Sequence, residues 1–261
     1  MATLERVKPI YVEAEQRSAQ WFAARLGNVT GSDADKTFLN VSDAAKGAVI
    51  RNILGVKTLT PKIKGTEEFI NLWDRDTIEL FEELGEKIPE SEERAKYRKR
   101  LVTERMIGMP VDENRFVTPA MKWGMLQEKD AINEYVLKTK NIVAEAPFLR
   151  HPELRAGASP DGLVVDRETG FLGVLEVKCL NPDNHLYEII KRGEIPDRYL
   201  VQIHMEMWIS GRDFCDFIGY DPRVPAGLKL FVKRYERDDE YIETVLEPTV
   251  RRFLSECDSD E

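Results

Sequence analysis

Three ionisable residues in one short stretch, Asp161, Glu176 and Lys178, are of the types and spacing that hydrolytic chemistry needs. They lie in Gly157-Ala-Ser159-Pro160-Asp161-Gly162, Leu163-Val-Val-Asp166, Arg167-Glu-Thr-Gly170 and Phe171-Leu-Gly-Val-Leu175-Glu176-Val177-Lys178-Cys179. The two apolar runs, rich in Val and Leu, flank a turn-like tetrapeptide ending in Gly, which is a hairpin signal. With residues 167–170 as the loop, Asp166 pairs with Phe171, and counting back sets Asp161 opposite Glu176. Opposed side chains stand about 4.5–5.5 Å apart at Cβ on one face, where like charges repel. A cation between the two carboxylates would remove that cost. Lys178 shares the face because strand side chains alternate, while Val177 turns its side chain away and leaves its carbonyl as a further oxygen donor. Two acids, a backbone oxygen and an ammonium suit a divalent-metal hydrolytic site. A solvated cross-strand pair is the plain alternative for Glu-x-Lys alone, but the opposing Pro-Asp-Gly favours the functional reading.

Other elements must position these groups. After a polar arm over 1–17, Ser18-Ala-Gln-Trp21-Phe-Ala-Ala-Arg25-Leu26-Gly27 has helical character, with Gly27 as its C-terminal stop. In the following Asn28-Val-Thr30-Gly31-Ser32-Asp33-Ala34, Ser32 or Asp33 could cap a further helix. Hydroxyls, free backbone N–H groups and the nearby Arg25 would also suit a phosphate, although by residue type alone a cap is the favoured reading. From about Ala44 to Arg105 the chain is mostly charged helix, with an apolar stripe through Phe69-Ile70, Leu72-Trp73, Ile78, Leu80-Phe81 and Leu84. The basic run Arg94, Lys96, Arg98, Lys99, Arg100 and Arg105 could grip a nucleic-acid duplex, although a solvated charged face is favoured.

Met121 to Val136 is helical, and Glu128 falls on its apolar face near Met125, Ala131 and Ile132. A carboxylate there needs a partner: a metal, a Lys or an ion pair. Asn141 to Leu149 reads as a strand leading to the hairpin, and His151, in a loop beside Pro152, as a surface histidine. His185 to Lys191 looks helical. Tyr199 to Ile209 is a helix with Leu200, Val201, Met207 and Trp208 on one side; His204 shares that side, where a hydrogen-bonded core His is the default. Strands over 214–218 and 228–235 flank a turn at Tyr220-Asp-Pro-Arg223, and an amphipathic helix through Leu254 leads to a frayed acidic end at about 255–261. This order predicts an α/β fold, a central mixed sheet flanked by helices. The chain reads as one domain over 1–261 with a helical insertion at about 44–105.

Composition sets limits. At 42% hydrophobic and 33% charged, 261 residues suffice for a full core. The net charge of −9 counts against a generic nucleic-acid binder, yet a local cationic patch can coexist with an acidic exterior. The start, Met-Ala-Thr-Leu-Glu-Arg, lacks a signal-peptide profile, and no run reaches the ~20 apolar residues of a membrane span. Cys179, Cys215 and Cys257 lack metal-ligand spacing, which argues for a reducing cytosol and against structural zinc.

Pro160-Asp161 followed by Glu176-Val177-Lys178 resembles the PD-(D/E)xK nuclease signature. More narrowly, the chain resembles the phage lambda exonuclease, or YqaJ-like viral recombinase, family. Ser159-Pro-Asp-Gly-Leu163 and Leu175-Glu-Val-Lys-Cys179 are close to the family's own wording. Trp21, Arg25-Leu26-Gly27, Thr30 and Ser32 match its W-x-x-x-R-L-G-x-x-T-x-S segment, and Trp123-Gly124 with Glu128 matches W-G-x-x-x-E. Tyr220-Asp-Pro-Arg223 and Glu236-Arg-Asp238 are similar to the family as well, whereas 44–105 is a departure onto which nothing carries over.

The resemblance implies a restriction-endonuclease-like fold and Mg²⁺-dependent 5′-to-3′ degradation of one strand of linear duplex DNA from 5′-phosphorylated ends. Mn²⁺ would substitute for Mg²⁺. It implies Asp161, Glu176 and the Val177 carbonyl as metal ligands, Glu128 nearby for a second ion, and Lys178 acting on the attacking water. Arg25, Ser32 and Ser159, with Trp21 beside them, would hold the 5′-phosphate. Gln202 keeps the first Gln of the family's Gln-x-Gln and His204 replaces the second, both toward DNA; Met121 would wedge the duplex end. The family also implies a ring-shaped homotrimer around DNA, a single-strand-annealing recombinase as partner, and a phage or prophage origin in the bacterial cytoplasm. A site- or structure-specific endonuclease on the same core, and a catalytically silent DNA-end-binding protein, are the alternatives.

Overall fold

The computed structural model describes residues 6–111 and 118–261, so the first five residues of the polar arm lie outside the described residues. Two compact units emerge: Met1–Thr37 with Arg98–Glu261, and Phe38–Tyr97.

In the larger unit the strands are β1 (Ile10–Val12), β2 (Val29–Thr30), β3 (Ile142–Ala144), β4 (Phe148–Arg150), β5 (Ala156–Ala158), β6 (Gly162–Val165), β7 (Leu172–Lys178), β8 (Phe214–Tyr220) and β9 (Leu230–Glu236). Along the whole chain the helices are α1 (Ala19–Arg25), α2 (Asp43–Ile53), α3 (Pro61–Lys64), α4 (Glu67–Asp74), α5 (Thr77–Glu83), α6 (Glu92–Ile107), α7 (Pro119–Thr139), α8 (Pro182–Asn184), α9 (Asp197–Ser210), α10 (Asp239–Tyr241) and α11 (Glu247–Asp260). A five-stranded sheet runs β3-β6-β7-β8-β9, parallel at β7/β8 and antiparallel elsewhere. A four-stranded sheet runs β1-β4-β5-β2. The fold is α/β with mixed sheets and flanking helices.

The alternation of β7 divides the core. Leu175 and Val177 pack with Ala131 and Tyr135 of α7, whereas Val174 packs with Ile203 and Met207 of α9. Glu176 and Lys178 therefore face the α9 side. Residues 141–149, expected as one strand, form two strands in different sheets, β3 and β4. Pro147 lies between them and has no N–H to continue a ladder.

In the smaller unit, Val49, Ile50, Phe69, Leu80 and Phe81 form the centre of a helical core. The single apolar stripe of the sequence is split there: Asp76 accepts from the N–H groups of Ile78 and Glu79, ending one helix and capping the next.

The basic run departs from the solvated charged face expected: the Arg94 and Arg105 side chains are only 2% exposed, and most of its members pair with carboxylates of the chain. Arg94 pairs with Glu90 and Lys96 with Glu92. Arg98 pairs with Asp260, Arg100 with Asp33, and Arg105 with Asp258 and Glu261. The acidic end, expected to fray, is instead helical through Asp260, because Arg98 and Arg105 neutralise it and Cys257 is buried. Nor does Ser32 or Asp33 cap a following α-helix. Residues 31–37 form a 3₁₀ helix in which Asp33 is held by Lys36 and Arg100.

Candidate active site

The hairpin register is the one the loop length dictates. Gly162 pairs with Leu175 and Val165 with Leu172, which carries Asp161 across from Glu176. Asp161 donates its N–H to the Leu175 carbonyl at 2.8 Å, and its Oδ2 accepts from the Val177 N–H at 2.7 Å. Glu176 is 2% exposed and accepts from Lys178 Nζ. The ammonium lies 5.1 Å from the centre of the Tyr199 ring on α9.

Electrostatics follow from this crowding. Burial, then the charges of Glu176 and Glu128, raise the Asp161 carboxyl well above its ordinary range. Burial opposes the charge of Lys178, but the Glu176 and Asp161 carboxylates outweigh it and hold the lysine as an ammonium.

Helix α9 adds an acid that sequence reasoning missed. Glu206 is 1% exposed; Gln202 Nε2 donates to its Oε1 at 2.9 Å, while its Oε2 has no hydrogen-bond partner. Burial, followed by the charge of Glu176, pushes its carboxyl well above the usual range. The available signal was the i, i+4 spacing of Gln202 and Glu206, which puts both on one helix face. The turn at Gly31 rests on the same two residues, since a Cβ there would meet Glu206 Cγ at 3.5 Å and Gln202 Cγ at 3.6 Å.

A second cluster of polar groups gathers around Arg25. Its guanidinium donates to Ser159 Oγ at 2.9 Å, Thr30 Oγ1 at 3.3 Å and Ser32 Oγ at 3.4 Å. It also lies 4.2 Å from the Trp21 ring centre. Gly27 ends α1 in the left-handed region, φ +64°, donating to the Glu104 carboxylate at 3.3 Å and accepting from Arg105 Nε at 2.9 Å. These contacts fix the helix end that presents Arg25. Ser159, two residues before Asp161, joins this cluster to the carboxylates.

Glu128 of α7 is held by Arg17 Nη2 at 2.6 Å and is 23% exposed at its side chain. This is the ion-pair partner that its apolar face requires. In the first turn of α7, Met121 is half-exposed. The nearby Trp123 is covered by the Arg223 guanidinium at 4.2 Å.

Whether these residues suit a divalent metal can be judged from their chemistry. Among the described residues no three His, Cys, Asp or Glu side chains stand together as a ready metal-binding group. Each acid has its own partner: Val177 N–H for Asp161, Lys178 for Glu176 and Arg17 for Glu128. The oxygen donors of Asp161 and Glu176 are nevertheless of the hard type that Mg²⁺ takes, on opposed positions of one hairpin and mutually repelling. That donor set fits a divalent cation.

A family model described as the YqaJ-like viral recombinase domain matches residues 83–213. The chain belongs to that family. Among solved structures it is similar to an alkaline exonuclease (LHK-Exo) from Laribacter hongkongensis, at 29% identity over 93% of this chain and 94% of that one, with a TM-score of 0.66. The same exonuclease in complex with dAMP matches at 30% identity, over 93% and 94% of the chains, with a TM-score of 0.65. A phage related exonuclease from Haemophilus somnus 129PT, at 13% identity over 89% and 94% with a TM-score of 0.57, shares the fold. No curated protein sequence matches. The YqaJ-like span contains Glu128, Ser159, Asp161, Glu176, Lys178 and Gln202; Trp21, Arg25 and Ser32 lie before it and are joined to it by the fold.

Two histidines of this YqaJ-like chain differ from a site role. His204 is half-buried, its ring 5.0 Å from Tyr241, and burial lowers its pKa. Its charged neighbours are Asp238 and Arg237, so the fold does not bring it to the acids with Gln202. Its Nδ1 has no hydrogen-bond partner, contrary to the hydrogen-bonded core His expected. His151, expected on the surface, is 6% exposed: its Nδ1 accepts from the N–H groups of Glu153 and Leu154, and its ring packs 5.5 Å from Trp208.

Proposed function

We propose that the protein is a Mg²⁺-dependent exonuclease that degrades one strand of linear duplex DNA from 5′-phosphorylated ends in the 5′-to-3′ direction. The observation that carries this reading is the Arg25 cluster. A guanidinium and three hydroxyls form an anion site whose Ser159 lies two residues from Asp161. Two residues of chain span at most about 7 Å, the scale of a single nucleotide of backbone. A 5′-phosphate held at Arg25 therefore leaves the next phosphodiester at the carboxylates, and one nucleotide is released per cut. The relative that binds dAMP, a deoxynucleoside monophosphate, supports a site of that size.

In this reading Asp161, Glu176 and the Val177 carbonyl hold the metal, with Glu128 at the rim for a second ion. Mn²⁺ substitutes. Bound there, the metal supplies Lewis-acid charge and an acidified water. Lys178 as an ammonium orients the attacking water and stabilises charge on the phosphate, and Glu206 backs Glu176 from α9. Gln202 braces Glu206, and Met121, exposed at the start of α7, parts the duplex end. The family reading extends to a homotrimeric ring, a single-strand-annealing recombinase as partner and a phage origin in bacterial cytoplasm. No helix of the described residues is long and apolar enough to cross a membrane.

The test compares linear duplexes with 5′-phosphate or 5′-hydroxyl ends, in Mg²⁺ or EDTA, by release of mononucleotides. Release should need Mg²⁺, favour the phosphorylated end, and fall at least about a hundredfold in Glu176→Ala. Cutting of closed circular DNA would move the assignment to an endonuclease. Binding without cleavage in any divalent metal would leave a silent end-binding protein.

A further inference from the structure

We propose that Arg17 binds the phosphate at the bond to be cut and that Glu128 holds its guanidinium in position for this. The proposal rests on the exonuclease reading and adds a substrate-binding residue to it. By sequence Arg17 belongs to an unremarked polar arm. In the fold it is one of two described non-glycine residues with positive φ, at +69°. The other, Lys140, is an ordinary left-handed helix end. Arg17 is the third residue of the turn closed by the Ser18 N–H on the Glu15 carbonyl at 3.0 Å, just before the cap of α1, a position where a turn takes positive φ but favours glycine. A bulky side chain in the left-handed region is uncommon and persists where surrounding contacts impose it.

Those contacts lead into the site. Gln16 Nε2 donates to the Pro160 carbonyl at 3.0 Å, which fastens the turn to the residue preceding Asp161. The Arg17 guanidinium then reaches Glu128 at 2.6 Å, and Glu128 is close enough to Asp161 to raise its carboxyl. The turn thus lies against Ser159-Pro160-Asp161, the segment that joins the Arg25 cluster to the hydrolytic acids. Arg25 serves the 5′-phosphate cluster and Lys178 stands beside Glu176, and Arg17 adds a third cation on the Glu128 side of Asp161. The Arg17 side chain is 44% exposed and bonds Glu128 through Nη2, which occupies one of the five N–H donors of its fork. A carboxylate on one edge and a phosphate on the other is the geometry that a planar guanidinium serves and an ammonium does not.

The experiment measures binding of a linear duplex with a 5′-phosphate or a 5′-hydroxyl end by fluorescence anisotropy in EDTA, so that cleavage plays no part. A second duplex carries an uncharged methylphosphonate at its first internucleotide linkage. Arg17→Ala should bind the normal duplex roughly tenfold more weakly, with a salt slope reduced by about one. The methylphosphonate should cost the wild type a similar factor and cost Arg17→Ala nothing further; Arg17→Lys should recover only part of the loss. Thermal melting of each variant confirms that the half-exposed substitution leaves the fold intact. Equal affinity of wild type and Arg17→Ala, or independent losses that multiply, would overturn the proposal and leave Arg17 as a counter-ion to Glu128. A wild type that shows no preference for 5′-phosphorylated ends would instead remove the exonuclease reading, and this proposal with it.

Discussion

Glu206 and Glu176 place two carboxyl groups in a nearly dry space, and their charge state has consequences for stability. The Glu206 carboxyl is raised above its ordinary value of 4.5. The stability this environment gives is therefore complete below that value and lost as pH rises through the folded value. Glu206→Gln keeps the shape, stays neutral and presents an amide donor toward Glu176. Its melting temperature in EDTA should match the wild type at pH 4.5 and exceed it by about 2–4 °C at pH 8, the shift given by ~1 kcal/mol in a chain of this size. A variant that melts lower at pH 8 would show that the carboxyl is ionised and paired. Arg25 supports a separate expectation. An ammonium in its place cannot span Ser159, Thr30 and Ser32 together. Arg25→Lys should cut the preference for 5′-phosphate over 5′-hydroxyl ends by about tenfold or more, as losing a charged hydrogen bond worth roughly 1.5–3 kcal/mol predicts. An unchanged ratio of the two rates would refute the pocket.

The end of α1 and the C-terminal half of α6 form one mechanical unit. Arg105 reaches the Gly27 carbonyl, and Asp258 and Glu261 of the C-terminal segment neutralise Arg105 in turn. A Cβ at Gly27 would stand 2.5 Å from Arg105 Cγ, at a φ that costs an L-residue roughly 1–2 kcal/mol. Gly27→Ala should therefore destabilise by about 2 kcal/mol and weaken 5′-phosphate selection, because the helix that aims Arg25 would shift. Removing residues 258–261 leaves the Arg105 side chain, only 2% exposed, without either carboxylate. That truncation should cost about 1–3 kcal/mol in urea unfolding. No change in the denaturation midpoint would show that the acidic end contributes nothing to the fold.

At the scale of the molecule, a net charge of −9 and a DNA substrate are reconciled by where the cations go. Arg94, Arg98, Arg100 and Arg105 of α6 are paired with carboxylates of the chain, and the site's own cations, Arg17, Arg25 and Lys178, each sit among acids or hydroxyls. On the proposed function, affinity for DNA would depend on a few phosphate contacts and on the metal, so cleavage should be more sensitive to chelation than to moderate salt. Mg²⁺ should also raise the melting temperature of the wild type by mass action and fail to do so in Glu176→Ala. An equal rise in both would place the metal elsewhere.

The hairpin was legible from the chain alone. Alternating Val and Leu, a four-residue turn ending in Gly and the period of two set Asp161 across from Glu176, and the fold keeps that register. Helices α1, α7 and α9 were legible for the same local reason, a cap or an apolar period. The split of 141–149 into two sheets and the short strands β1, β2 and β5 were not, because their pairing partners lie far away in sequence. The site shows the same division. Residue types and spacing on one strand announced Asp161, Glu176 and Lys178. Only tertiary packing joined Arg25 to Ser159 across 134 positions, turned Glu206 toward Glu176, and set Arg17 on Glu128. Register is a local property of backbone and turn, whereas those contacts depend on which helix faces which side of the sheet, and the folding of the whole core decides that.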